Sequence, residues 1–222
     1  MITCAFDSAL VWKDLPQLLA GFRLTVIVGG IGIVGSLVVG VVGGMACAQR
    51  VPFLSQVFAV WVEVIRNTPH LVQIFFLYFV LPNVGVRLSA FSVACVSLVL
   101  WGGAYNIENF RAGFQAVHER YIRAARGLGF GRWATFHRVT FPNGLRIVIP
   151  SVTNTSISVL KGSSLMVAIG FPELTDTAVS IVSQTFRVFE IFTAIGITYL
   201  ILCWSISIAM HGLERCLALP EG

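Results

Sequence analysis

Ionisable side chains set inside long apolar runs are the residues with chemistry to offer in this chain. Of its 222 residues 11% are charged and 56% hydrophobic, whereas a soluble domain carries about 25% charged. An ionised group at the centre of a bilayer costs about 3 kcal/mol or more unless it is paired or wet. Glu63, Arg66, Thr68, His70 and Gln73 interrupt the apolar stretch 51–81. Glu63 and Arg66 are three apart, so they share a helix face and are spaced to pair. Glu108 and Arg111 repeat that spacing at the end of the next run, and Lys161 lies deep in a later one beside Ser163 and Ser164. Inside a membrane such groups serve either of two purposes. They pair helices and pin the bundle, or they line the path of a zwitterionic solute, whose two charges each need an opposite partner away from water. The candidate path residues are therefore Glu63, Arg66, Thr68, His70, Gln73, Glu108, Lys161, Ser163 and Ser164.

Other chemistries find no support in the pattern. His70, His118, His137 and His211 are scattered without metal-ligand spacing. The five cysteines are odd in number and form no C-x-x-C pair, so neither a disulfide framework nor a zinc site is expected. Gly30, Gly32 and Gly35 match G-x-G-x-x-G, but inside an apolar run with no strand-turn-helix unit around it. No G-x-x-x-x-G-K-[ST] phosphate loop, H-E-x-x-H or nucleophile motif is present. We expect no catalytic residue, no metal and no cofactor held by this chain.

The elements that position these residues follow from hydropathy. Residues 24–48, 88–107 and 191–210 carry no charge, and 147–171 is broken only by Lys161. Each is long enough, at about 1.5 Å per residue, to cross a ~30 Å hydrocarbon core or nearly so. With 51–81 as a long helix bent at Pro69, the expectation is an all-α integral membrane protein. It forms one domain over 1–222, with about five transmembrane helices near 19–49, 53–82, 88–112, 144–171 and 188–213. Gly32, Ser36, Gly40 and Gly44 recur every four residues along one stripe of the first helix, which lets another backbone approach closely. The first residues hold two Asp and no basic start, so no cleaved signal is expected and the first helix stays in the lipid.

Charge fixes the orientation. Arg111, Arg120, Arg123, Arg126, Arg132, Arg138 and Arg146 lie between the third and fourth helices, with Glu119 their only acid. Arg50 and Arg215 fall on the same face if five helices alternate. Positive charge belongs to the cytoplasmic side, which gives N-terminus outside and C-terminus inside. The net charge of +5 thus sits where topology needs it, and no nucleic-acid partner is expected.

The loop 115–143 is too long for a mere connector. It reads as a short helix from Arg120 to Leu128, a break at Gly129 and Gly131, and a second short helix from Arg132 to Arg138 that Pro142 ends. Ala124 and Ala125 leave one side of this knob small, which suits insertion into a groove.

The stretch YIRAARGLGFGRWATFHRVTFPNGLRIVIP resembles the conserved cytoplasmic loop of ATP-binding-cassette importer permeases, with Ala124, Ala125, Leu128, Gly129, Pro142, Arg146 and Pro150 at matching positions. Arg123 stands where that family usually has Glu, and Arg120 and Tyr121 replace its usual Gly-Gln. Three further segments are similar to the polar amino-acid branch, which takes His, Gln, Arg, cystine or opines. They contain Arg66, Thr68, Pro69 and Gln73; then Ala104, Tyr105, Glu108 and Arg111; then Leu160, Lys161, Ser164, Leu165 and Glu173. The resemblance covers roughly residues 15–215. It implies a coupling element, Arg120, Arg123, Ala124, Ala125, Gly127, Gly129 and Arg132, that docks on an ATP-binding-cassette ATPase dimer. It also implies a second permease subunit (the same chain or a homologue), a periplasmic solute-binding protein and a polar amino-acid substrate. ATP and Mg are used by the ATPase, not by this chain. The bacterial inner membrane is then its place, with lipid around it. An ion-coupled secondary transporter or channel is the alternative, although such folds often carry internal repeats and none is evident here.

Overall fold

The computed structural model describes residues 8–217, and every regular element among them is helical. The helices are α1 (Ser8–Ala48), α2 (Leu54–Arg66), α3 (His70–Phe75), α4 (Ala90–Gln115), α5 (Glu119–Gly127), α6 (Arg132–Thr135), α7 (Phe141–Gly162), α8 (Leu174–Thr185) and α9 (Val188–Leu217). Three are long and apolar enough to cross a membrane, and the number rises to five if two bent pairs each count as one span. The protein is thus an all-helical integral membrane chain.

The α1–α4 contact is the spine. Gly32, Gly40 and Gly44 lie against Leu98, Asn106 and Phe110, so both helices present every fourth residue to the seam. A methyl group at Gly32 would fall 2.8 Å from Leu98 Cβ, and one at Gly40 would collide with Asn106. Small residues are required here because the two backbones nearly touch. Between them Asn106 donates to Ser36 Oγ at 3.2 Å, both side chains fully buried. Away from the seam, Ile27, Ile31, Val34, Val38 and Val42 form an exposed apolar stripe on α1. That suits lipid as solvent rather than water.

The bend at Pro69 is sharper than a kink. The helix pair Leu54–Arg66 and His70–Val84 turns through 106°. Carbonyls at the end of α2 lose helical partners at such a turn, although Glu63 O keeps the Asn67 N–H. Asn67 Nδ2 donates to Glu63 O at 2.8 Å, Thr68 Oγ1 to Val64 O at 2.8 Å and Gln73 Nε2 to Ile65 O at 2.9 Å, so each is satisfied locally.

Two sequence expectations are corrected. Pro142 does not end a short helix, because Arg132–Ile169 runs as one helical rod. A π-turn at Phe136–Thr140 shifts the bonding so that Phe141 N–H reaches Phe136 O just before Pro142, which has no N–H to give. Residues 172–187, which the expected spans leave out as a connection, are largely α8. Its polar residues had hidden an amphipathic pattern in which Leu174, Ala178 and Ile181 are buried.

Candidate functional site

The polar groups divide into four settings. The first is an open polar cleft of about 280 Å³ bounded by Glu63, Arg66, Asn67 and Tyr105. Glu63 and Arg66 share the exposed face of α2 yet do not pair with each other: Asn67 Nδ2 donates to Glu63 Oε1 at 2.8 Å, and the Arg66 guanidinium sits 5.2 Å from the Tyr105 ring centroid. The ion pair that their spacing allowed is absent because Tyr105, from α4, takes the guanidinium. The cleft therefore offers a carboxylate, a planar cation and an aromatic face, none of them closed off by an ion pair. Nearby, Arg111 Nε donates to Glu108 Oε2 at 2.9 Å, and Arg111 Nη1 to Gln115 at 2.9 Å. Glu108 is thus already matched by its own helix.

The second setting is the bend itself. Gln73 Nε2 also donates to Thr68 O at 3.0 Å, so Thr68 and Gln73 fasten the turn that aims α2. His70 stacks on Trp101, 5.5 Å between ring centroids, and packs on Gly162. Its Nε2 and the Gln73 Oε1 are enclosed with no hydrogen-bond partner among the described residues.

The third lies on and after α7. Lys161 is exposed and belongs to a stripe with Ser151, Asn154 and Ser158, all exposed and spaced for one helix face. Ser163 and Ser164 donate back to Leu160 O and Lys161 O, both at 2.7 Å, so their hydroxyls are engaged by the helix. Ser163 is fully buried, away from the stripe. Close by, Glu173 is a carboxylate with no exposure at all. It accepts from Tyr199 OH at 2.8 Å, from Thr25 Oγ1 at 3.3 Å and from Asp176 N–H at 2.9 Å, capping α8. Thr25 Oγ1 in turn accepts from Leu174 N–H at 3.1 Å. Glu173 thereby ties α1, α8 and α9 together. Sequence reading placed it in a shared motif but not among the site residues, and its position just ahead of an amphipathic run was the local hint. Tyr105, noted only as part of a motif, was likewise left out of the site, because its contact with Arg66 is long-range and no spacing announces it.

The fourth is the knob between α4 and the long rod. α5 ends in a reverse turn with Gly129 at φ 81°, where Phe130 N–H bonds Ala125 O at 3.1 Å and Gly129 N–H bonds Arg126 O at 2.9 Å. This is the left-handed cap that glycine provides without strain. Ala124 and Ala125 do not share a face: Ala124 is exposed, while Ala125 is 4% exposed and packs inward. Arg120, Arg123, Ala124 and Gly127 are exposed. Arg123 lies 3.8 Å from Glu119 and Arg120 stacks on Tyr121, 4.8 Å from its centroid. Arg132 turns the other way, donating to Gln49 Oε1 at 3.2 Å and also to Gln49 O, which fastens the knob to the end of α1.

Comparison with known proteins gives the family and bears out the fold. The family described as "Binding-protein-dependent transport system inner membrane component" matches residues 40–218. The glutamine transport system permease protein GlnP of Escherichia coli (strain K12) is 34% identical over 212 residues, covering 95% of this chain and 97% of that protein. The probable glutamine ABC transporter permease protein GlnP of Bacillus subtilis (strain 168) is 35% identical over 212 residues, covering 94% and 97%. Among solved structures, one described as the crystal structure of an amino acid ABC transporter with histidines superposes with a TM-score of 0.87 at 29% identity, covering 94% of this chain and 98% of the other.

Proposed function

Because the chain belongs to the family of binding-protein-dependent transport system inner membrane components, as an amino-acid ABC importer permease subunit, we propose that it carries a polar amino acid along the Glu63–Arg66–Tyr105 cleft and is driven through α5. The Arg66 guanidinium binds the substrate carboxylate, and Glu63 takes the ammonium. Oppositely charged partners are what such a solute needs once it leaves water. Glutamine-type substrates fit this reading, since two relatives bear that name. The α7 stripe ending at Lys161 faces the same aqueous path instead of lipid, where an exposed cation would be costly. A second permease subunit, identical or homologous, closes the other side of that path.

ATP is hydrolysed, with Mg as its counter-ion, by an ATP-binding-cassette ATPase dimer docked on the exposed face of α5. A periplasmic solute-binding protein delivers the amino acid from outside. The N-terminus lies outside and the C-terminus in the cytoplasm of a bacterium, with the chain spanning its inner membrane. When ATP closes the ATPase dimer, each knob moves with it. Because Arg132 joins the knob to α1 and the rod joins it to α7, the bundle rocks as a body.

The observation that carries the docking assignment is the division of α5 into an exposed face (Arg120, Arg123, Ala124, Gly127) and a buried one (Ala125). Cysteine cross-linking tests it. Ala124→Cys should form a disulfide with a cysteine in the ATPase groove, whereas Ala125→Cys should not. Equal bonding from both, or from neither across several groove positions in folded complex, refutes the docking face.

A further inference from the structure

A cavity of about 370 Å³ lies behind the knob, on the side that the docking face does not use. The end of α1, the end of α4, one side of α5 and the start of the rod border it, and it is open to one side. Arg50, Arg126 and Arg132 line it together with Gln49, Gln115 and Thr135, and among the described residues no acidic one does. Arg50, Arg126 and Arg132 are exposed at its mouth, and their mutual repulsion makes the cavity favourable to an anion. Arg132 is held by Gln49. Among the described residues, no side-chain hydrogen bond or ion pair engages Arg50 or Arg126.

The backbone at Arg50 is the second observation. α1 ends in the same reverse turn as α5: Val51 N–H bonds Ala46 O at 3.0 Å and Arg50 N–H bonds Cys47 O at 3.2 Å. In α5 the left-handed position is Gly129, but in α1 it is Arg50, at φ 51°. A side chain there costs about 1 kcal/mol or more compared with glycine. Strain of this kind is retained where the side chain has a task. Phe53 and Phe186 also have positive φ, but neither lines this cavity. The opposing effect is small. The ends of α1 and α4 each bring roughly half a negative charge, and three full positive charges outweigh them.

We propose that this cavity is a binding site for a phosphate-bearing anion, held by Arg50, Arg126 and Arg132. Arg132 supplies an oriented fork, and Arg50 and Arg126 close from either side. The anion ties that side of α5 to the end of α1 and so stiffens the linkage between knob and bundle. Two sources carry this chemistry: the headgroup of an anionic phospholipid in the adjacent leaflet, and free inorganic phosphate. That the leaflet is the cytoplasmic one rests on the orientation proposed above; the site itself does not.

The test uses the full chain, without partners. Thermal unfolding is followed in nanodiscs of phosphatidylcholine alone, in the same discs with phosphatidylglycerol added, and in phosphatidylcholine discs with inorganic phosphate against chloride at matched ionic strength. Stabilisation by phosphatidylglycerol alone assigns the lipid, and stabilisation by phosphate assigns the free anion. Arg50→Gly is the decisive variant, since glycine suits the backbone and the fold should be retained. We expect its unfolding midpoint without anion to equal or exceed that of the parent, and the half-saturating anion concentration to rise about tenfold for one lost charge-assisted contact. Arg87→Gln, outside the cavity, should keep the parent's response. No stabilisation by either source, or equal losses in Arg50→Gly and Arg87→Gln, overturns the site. If neither anion stabilises and Arg50→Gly instead weakens ATPase binding, the cavity receives an acidic side chain of that partner and the proposal fails. Because nothing here depends on transport, failure of this site is distinct from failure of the transport reading.

Discussion

Glu173 and Glu63 are both carboxylates in a mostly apolar helical chain, yet their surroundings are opposites. Glu173 is fully buried and accepts from Tyr199, Thr25 and Asp176 N–H. Glu63 is exposed in a cleft with one amide donor, and Arg66 beside it is turned toward Tyr105. The difference separates structure from function in a membrane protein. A polar group whose every bond is made by its own chain fastens helices together. A polar group left open, in a place where openness is costly, is available to a solute. The same test sorts Thr68, Gln73 and Ser164, whose donors are engaged by nearby carbonyls, from Arg66 and Lys161, which no carboxylate of the described residues pairs.

The contrast can be broken most forcefully at Glu173. Glu173→Ala removes the acceptor that Tyr199, Thr25 and Asp176 N–H share, and with it the tie between α1, α8 and α9, which should cost about 3 kcal/mol. Thermal unfolding of the purified chain measures it, and an unchanged midpoint would remove Glu173 from its fastening role. Arg66→Gln should do the reverse. Uptake in proteoliposomes with the partner subunits should need about tenfold more substrate for half-saturation, while unfolding stays within about 0.5 kcal/mol of the parent. A matching loss of stability would place Arg66 with Glu173. Arg66→Lys is the finest probe: the charge persists, but the planar contact with Tyr105 and the two-pronged grip on a carboxylate are lost. Its half-saturation should rise about threefold, between parent and Gln. A value equal to Arg66→Gln would mean that the planar shape matters more than the charge.

Much of the architecture was legible because lipid imposes long, uncharged helical runs, and those are plain in residues 24–48, 88–107 and 191–210. The four-residue repeat of Gly32, Ser36, Gly40 and Gly44 announced a close seam because helical geometry brings such positions into line. The site was less legible. Spacing suggested Glu63 with Arg66, and the fold put Tyr105 beside Arg66 instead. It suggested that Ala124 and Ala125 form one small face, but adjacent helical residues lie about 100° apart, and packing buried Ala125 alone. α8 escaped notice because its polar residues broke the apolar run.

Sequence by itself determined that this chain is a helical membrane protein, which segments are apolar, where positive charge gathers and which motifs it shares with importer permeases. These are local properties, fixed by residue type and by the period of the helix. Only the tertiary structure decided the 106° turn at Pro69, the closure of Glu173, the openness of Glu63 and Arg66, and the gathering of Arg50, Arg126 and Arg132 around one cavity. Each depends on which distant side chain arrives to satisfy a polar group, and residue spacing along one helix carries no record of that.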